Sequence, residues 1–293
     1  MSQPKFEPSP EVLSGETADI YFAHTVEILR REGLNPVATM EVFPSRSGIL
    51  CGMEEVKALL SKVLPEGNRE VWALAEGERM ESKEVILRIT APYQSYGLYE
   101  TAIDGIIAHC SGWATAAREC VEAAQGIPVI SFGARHVHPL VAGLMDYAAI
   151  VGGCAGCSSV IGARLAGREP SGTMPHALIL IMGDTVRATQ AFDRHMPPHV
   201  PRISLVDTFK DEAEESVRVA QALGERLNSV RLDTPAERGR VTPELVKEVR
   251  ARLDLAGFKH VKIFVSGGIN PERIRTFIDS GACLLYTSPS PRD

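Results

Sequence analysis

The chain has 293 residues, with 31 Lys plus Arg against 37 Asp plus Glu, a formal net charge of −6. Hydrophobic residues make up 44% and charged residues 23%, a balance that buries a core and excludes disorder as the main state. The lack of a strongly basic segment excludes a nucleic-acid scaffold, and no apolar run approaches the ~18 residues that a membrane span requires. The opening Met1-Ser-Gln-Pro-Lys-Phe-Glu-Pro has no apolar signal region. Six cysteines, at 51, 110, 120, 154, 157 and 283, are too sparse for a disulfide framework in a chain this long, so a reduced, cytoplasmic protein is expected.

In chain order, residues 1–11 are rich in Pro and Glu and read as an extended arm. Residues 17–31 read as an amphipathic helix, with Thr17 as N-cap and Ala18, Phe22, Val26 and Leu29 on one face; Gly33 stops it. Residues 37–42 alternate like a strand and 54–63 read as a helix. The runs 71–77 and 85–91 flank a charged turn and read as an antiparallel pair. Residues 1–95 are therefore expected to form a small α+β domain.

A long helix is expected over 100–125, followed by short apolar strands at 128–132, 148–151, 202–206, 229–232 and 261–265. Helices at 210–224 and 242–257 alternate with them. This alternation predicts a parallel sheet with crossover helices over 96–282, as an irregular (β/α) barrel or, failing that, a doubly wound sheet. Either way, ligands bind in the loops that follow the strands.

Those loops collect the polar residues. Ser266-Gly267-Gly268 follows an apolar strand and precedes a helix opened by Asn270 and Pro271. Such a turn brings backbone N–H groups and a helix dipole to an anion, or serves as a plain capped turn. Asp207 and Asp233 each end a strand, where a carboxylate accepts from ribose hydroxyls, holds Mg²⁺ through water, or caps the next helix. Arg135, Arg231 and Arg238 are the available guanidinium groups, for a carboxylate, a phosphate or an internal salt bridge. His176 is acid, base, nucleophile, metal ligand or structural. His136 and His138 lack a third ligand, and Cys154-Ala-Gly-Cys157 lacks a second pair, so neither indicates a metal centre. Tyr21, on the first helix, is a core residue or a stacking aromatic.

Together these loops resemble the nicotinate phosphoribosyltransferases of the type II phosphoribosyltransferase fold. The strongest match is Ser171-Gly-Thr-Met-Pro-His-Ala177, similar to that family's Gly-Thr-x-x-His motif. Asp19-Ile-Tyr21, Phe132-Gly-Ala-Arg135, Leu205-Val-Asp-Thr208, Arg231-Leu-Asp233 and Val265-Ser-Gly-Gly268 support it in the family's order over residues 15–282. The resemblance implies transfer of phosphoribosyl from phosphoribosyl pyrophosphate to nicotinate, giving nicotinate mononucleotide and pyrophosphate in NAD salvage. It implies coupled ATP hydrolysis through phosphorylation of His176, Mg²⁺ on the pyrophosphate, and no dedicated metal-binding residues. It also implies a homodimer in which Tyr21 stacks on the pyridine ring of the neighbouring subunit's site. His176, Asp207 and Asp233 would then be catalytic. Tyr21, Arg135, Thr173, Arg231, Ser266, Gly267 and Gly268 would bind substrate, the glycines cradling the 5′-phosphate.

After Ala282 the family pattern calls for another strand and a second Gly-rich loop. The text at 283–293 reads instead as a foreign appendage whose two Ser-Pro pairs suit a strand poorly. The chain is therefore expected to be truncated, its barrel incomplete at the C-terminal end, with half of the phosphate cradle missing and an open sheet edge. Three rivals remain. A quinolinate phosphoribosyltransferase of the same fold calls for a denser cationic cluster than the single Arg135 within 132–139. A nicotinamide-using relative calls for a carboxylate that the loop 152–159 lacks. The third is a non-catalytic barrel fragment that only binds phosphorylated ligands.

Overall fold

The computed structural model describes residues 5–282 and the backbone of Leu285–Thr287. The chain divides into two compact units. The first comprises Met1–Arg118, Tyr147–Gly153 and Leu165–Gly167; the second comprises Glu119–Asp146, Cys154–Arg164 and Arg168–Asp293.

The first unit opens with a short helix, α1 (Pro10–Ser14), capped by Ser9 Oγ, which accepts from Val12 N at 3.3 Å. The expected arm therefore turns helical at its end. Helix α2 (Ile20–Arg31) starts later than the sequence pattern predicts: Asp19, not Thr17, takes the N-cap position, its own N–H held by Thr101 Oγ1 at 3.0 Å. The rest of the unit runs β1 (Val37–Val42), β2 (Gly48–Ile49), α3 (Met53–Val63), β3 (Glu70–Ala73), β4 (Arg79–Met80), β5 (Leu87–Pro92) and α4 (Glu100–Ala123) as far as Arg118. Strands β1, β5 and β3 form an antiparallel sheet in that order, and β2 pairs with β4. On β5, Leu87, Ile89 and Ala91 turn inward and Arg88 outward. The stripe Met53, Val56, Leu59 and Leu60 of α3 completes this core with Leu50 and Ile86. Glu76 reaches from a loop to the start of α3, where its carboxylate accepts from Gly52 N at 2.9 Å and Glu54 N at 3.2 Å.

The second unit contains β6 (Val129–Ser131), the start of α5 (Pro139–Val151) as far as Asp146, β7 (Gly156–Cys157), α6 (Val160–Leu165) as far as Arg164, α7 (His176–Met182), α8 (Thr185–His195) and β8 (Ile203–Leu205). It continues with α9 (Glu212–Leu223), β9 (Ser229–Leu232), α10 (Pro243–Leu255), β10 (Lys262–Val265), α11 (Pro271–Asp279) and β11 (Leu285–Thr287). The strands form one sheet in the order β7-β6-β11-β10-β9-β8, every pair parallel. A parallel sheet places all strand C-termini, and the loops that follow them, along one edge. Asp184, Asp211, Thr242 and Asn270 cap α8, α9, α10 and α11 with side-chain oxygens. Because Asp211 takes the cap of α9, Asp207 is released from that duty.

Three expectations are corrected here. Among the described residues the sheet is open, β7 and β8 forming its ends, so it is mixed α/β without a closed barrel. Residues 148–151, expected as a strand, close α5 instead, and Gly156–Cys157, in an expected loop, supplies the strand. A four-residue apolar run carries no periodicity that separates strand from buried helix. The edge of β10 expected to lie open pairs with β11, Phe264 opposite Leu285. The Ser-Pro pairs begin at Ser288, beyond this strand, so their missing N–H groups do not interrupt it. The reading of 283–293 as an appendage otherwise falls outside the described residues. No helix among the described residues is long and apolar enough to cross a membrane.

Candidate active site

The sheet's C-terminal edge gathers nearly all the residues singled out from the sequence. Arg231 leaves β9 and lies flat beside the Phe132 ring, its guanidinium carbon 5.2 Å from the ring centroid. Its Nε donates to Ser266 Oγ at 2.8 Å, one terminal nitrogen to Thr173 Oγ1 at 2.9 Å, and the other to Asp233 Oδ2 at 3.0 Å. Ser266 Oγ donates in turn to Asp233 Oδ1 at 2.7 Å. One guanidinium thus fastens the loop between α6 and α7 and the loops after β9 and β10. Three of its five N–H groups are engaged, leaving two for a ligand. Burial holds the Arg231 pKa below its ordinary value, opposed by the charges of Asp233 and Asp207, while Arg135 adds a repulsive contribution. Arg135, on the single turn Gly133–His136 after β6, therefore shares the electrostatic field of Arg231.

His176 begins α7, and its Nε2 lies 3.0 Å from Asp207 Oδ2, past the end of β8. The imidazole is 42% exposed and the Asp207 side chain 1%, so the histidine is the solvent-facing member of the pair. Among the described residues, Asp207 Oδ1 is buried without a hydrogen-bond partner. Burial first, and then the charge of Asp233, raise the Asp207 pKa, with the His176 hydrogen bond working against them. An orphaned, buried carboxylate oxygen is costly in an unliganded fold and is chemically suited to a hydroxyl donor.

The Ser266–Gly268 turn lies beside Asp233: a Cβ on Gly267 would sit 3.2 Å from Asp233 Oδ1. Gly267 and Gly268 adopt φ of +89° and +59°, a region that glycine enters without strain. Among the described residues, the backbone N–H groups of Gly267, Gly268 and Ile269 have no hydrogen-bond acceptor. Successive free N–H groups at a helix start form an anion-binding concavity.

Other expected residues make different contacts. Tyr21 is on α2 in the first unit, 57% exposed, its hydroxyl donating to Asp19 Oδ2 at 3.0 Å. Arg238 binds the backbone, donating to Asp207 O at 3.1 Å, and lies 3.6 Å from Glu212. His138 Nδ1 accepts from Leu140 N at 3.3 Å and so acts at the start of α5. Cys154 and Cys157 are buried free thiols, both pushed up to about 12 by burial. Among the described residues no cluster of three or more His, Cys, Asp or Glu is arranged to hold a metal ion.

Three participants escaped the sequence reading. Phe132, quoted with Arg135 in a motif but given no role, lies beside the Arg231 guanidinium. Asp146, fully buried, accepts from Ser131 Oγ at 2.7 Å and Ser159 N at 2.7 Å, fixing the ends of β6 and the β7 loop. Arg273 donates to the carbonyls of Gly267, Gly268 and Val241, each at 2.8 Å. It did leave a trace, since a cation in the first turn of a helix opposes the dipole there.

Residues 19–111 match the family model for the quinolinate phosphoribosyl transferase N-terminal domain, and residues 113–289 match that for its C-terminal domain. The chain belongs to the quinolinate phosphoribosyl transferase family. Within it, the crystal structure of nicotinate-nucleotide pyrophosphorylase from Pyrococcus furiosus superposes with a TM-score of 0.88 at 41% identity, over 98% of this chain and 74% of that one. A curated relative, nicotinate phosphoribosyltransferase pncB2 of Mycobacterium tuberculosis, is 34% identical over 212 residues, 71% of this chain. The chain spans less than half of that relative's length, 44%. Human nicotinic acid phosphoribosyltransferase shares the fold alone, with a TM-score of 0.72 at 19% identity over 93% of this chain and 72% of that one.

The resemblance to ATP-coupled nicotinate phosphoribosyltransferases is corrected by these family matches, and with it the assignments of nicotinate as acceptor and of His176 as a phosphorylated residue. The reason is physical. The motifs behind that resemblance build the loops that join Arg231, Asp233, Ser266 and Thr173 to one another. The single cation within 132–139 was expected to weigh against a quinolinate enzyme, but the fold brings Arg135, from the turn after β6, and Arg231, from β9, into one field.

Proposed function

We propose that this chain catalyses transfer of the phosphoribosyl group from phosphoribosyl pyrophosphate to the ring nitrogen of a pyridine carboxylate, with quinolinate as acceptor and without ATP. The observation that carries this reading is the pair of family matches spanning residues 19–289, which contain the whole Arg231-centred cluster. The ring nitrogen attacks C1′ of the sugar, and the C1′–O bond breaks with its electron pair leaving on pyrophosphate. The C2 carboxylate then stands next to a quaternised nitrogen. It departs as CO₂, its bonding electrons remain at C2, and a proton from solvent replaces it.

The residues divide this work. Arg135 and the two remaining donors of Arg231 suit the acceptor's carboxylates. Asp207 Oδ1 suits a ribose hydroxyl, and the carboxylates of Asp207 and Asp233 favour the positive charge that develops on the sugar. The free N–H groups of the Gly267–Ile269 turn suit the 5′-phosphate. Asp207, whose Oδ1 has no partner among the described residues, would hold a pyrophosphate-bound Mg²⁺ through water, and the ion would supply positive charge to the leaving group.

The proposal includes a homodimer. Helix α2 buries none of its residues, although Ile20, Tyr21 and Ile28 are each more than half exposed on it. A second copy covering this face accounts for a helix that its own unit leaves uncovered. Sedimentation of the purified chain at micromolar concentration should give twice the monomer mass, and Tyr21→Asp should lower it.

The activity test mixes equal amounts of ring-deuterated quinolinate, unlabelled nicotinate and nicotinamide with phosphoribosyl pyrophosphate and Mg²⁺, with and without ATP. Deuterated nicotinate mononucleotide with matching CO₂ release, unchanged by ATP, is the expected product. Unlabelled nicotinate mononucleotide, or nicotinamide mononucleotide, as the main product would overturn the choice of acceptor.

A further inference from the structure

We infer that Arg273 is a positioning residue for the phosphate-binding turn. It acts from behind the turn, through the carbonyls of Gly267 and Gly268, and does not touch the ligand. This rests on the phosphoribosyl reading above and adds to it the element that sets the turn's direction.

The geometry is specific. Asn270 Oδ1 accepts from Arg273 N at 2.9 Å, capping α11 and fixing the start of the Arg273 side chain. One terminal nitrogen of the guanidinium then donates to both Gly267 O and Gly268 O at 2.8 Å, and the other donates to Val241 O at 2.8 Å. In a planar trans peptide the C=O of one residue and the N–H of the next point in opposite directions. Two carbonyls drawn to one guanidinium therefore send the N–H groups of Gly268 and Ile269 the opposite way, together. Those N–H groups have no acceptor among the described residues. The positive φ of Gly267 and Gly268 lets both peptides take this orientation without a steric penalty.

The third bond gives the clamp its second function. Val241 lies in the loop between β9 and α10 and is buried, so Arg273 ties the phosphate turn to the loop that follows Asp233. A cation in the first turn of α11 opposes the helix dipole. Three charge-assisted bonds to carbonyls offset this. Lysine cannot reproduce the arrangement, because a single ammonium lacks the planar fork that spans three acceptors.

The experiment compares wild type, Arg273→Met and Arg273→Lys. Calorimetry gives the dissociation constant of ribose 5-phosphate, and steady-state kinetics give KM for phosphoribosyl pyrophosphate and for the pyridine acid. Thermal unfolding of each variant is recorded alongside. Arg273→Met should bind ribose 5-phosphate at least tenfold more weakly and raise KM for phosphoribosyl pyrophosphate similarly, with KM for the pyridine acid unchanged. Arg273→Lys should fall between. Wild-type binding by Arg273→Met overturns the inference. So does an equal loss toward both substrates that accompanies a collapsed unfolding temperature, since that marks a general structural prop. If Arg273→Met does not fold, wild-type affinity in Arg273→Lys overturns the inference on its own. A wild-type chain that fails to bind ribose 5-phosphate removes the turn as an anion site, and the phosphoribosyl reading with it. Where the wild type binds without turnover, a tenfold weaker dissociation constant in Arg273→Met supports the inference and an unchanged one overturns it.

Discussion

Replacing Arg231 with Met keeps most of the stem and removes the guanidinium at the centre of the site. The side chains of Arg231 and Asp233 are each 15% exposed, so the variant strands a mostly buried carboxylate as well as breaking bonds to Ser266 and Thr173. Removing one partner of a buried ion pair destabilises by about 3–5 kcal/mol, and Arg231→Met should fall in that range. Adding Asp233→Asn removes the stranded charge. The double variant should therefore be more stable than the sum of the two single losses, by about 0.5–3 kcal/mol, the scale of coupling between contacting residues. Urea unfolding should be followed by far-UV circular dichroism. Tryptophan fluorescence is unsuited, because Trp72 and Trp113 both lie in the first unit. A loss below about 1 kcal/mol, the scale of an exposed pair, or strict additivity with Asp233→Asn, would refute the view that this network is a buried frame.

Asp207→Asn should raise stability at neutral pH and lower turnover. Burial holds the Asp207 carboxyl above its ordinary value, so the native state binds more protons than the unfolded state between the two values. Wild-type stability accordingly falls as pH rises through that window, and the advantage of Asp207→Asn should shrink on acidification to pH 3. A pH-independent difference in urea unfolding would contradict this. Gly267→Ala should cost about 1–2 kcal/mol from its left-handed backbone alone, with its new Cβ 3.2 Å from Asp233 Oδ1; unchanged stability in the same assay would count against the assigned turn. Cys154 and Cys157, buried and pushed up to about 12, should resist an aromatic disulfide reagent at pH 8 until denaturant is added. Rapid native labelling of both, read by peptide mass, would contradict their burial.

Much of the site was legible because each part carries a local signal. Ser266-Gly-Gly sits between an apolar strand and the Asn270-Pro271 helix start, and Asp207 and Asp233 each follow an apolar strand. What each residue does was less legible. Arg231 was expected to grip substrate, yet two of its donors hold other loops, at partners 58 residues away at Thr173 and 35 at Ser266, and a third holds Asp233. Arg273 and Asp146 were overlooked because their acceptors and donors come together only after the helices pack. The strand expected at 148–151 failed because its apolar run is equally at home in α5.

The sequence by itself determined the alternation of strand, loop and helix, the caps that end most of those loops, and the chemistry available at the sheet's C-terminal edge. These follow from local periodicity and from side chains bonding their own neighbouring backbone. Tertiary structure alone decided that the sheet is open, that β11 lies between β6 and β10, and that cations from two strands share one field. Each of these is a relation between segments far apart in the chain. Strand order, long-range hydrogen bonds and the summed field of separated charges leave no local pattern to be read in advance.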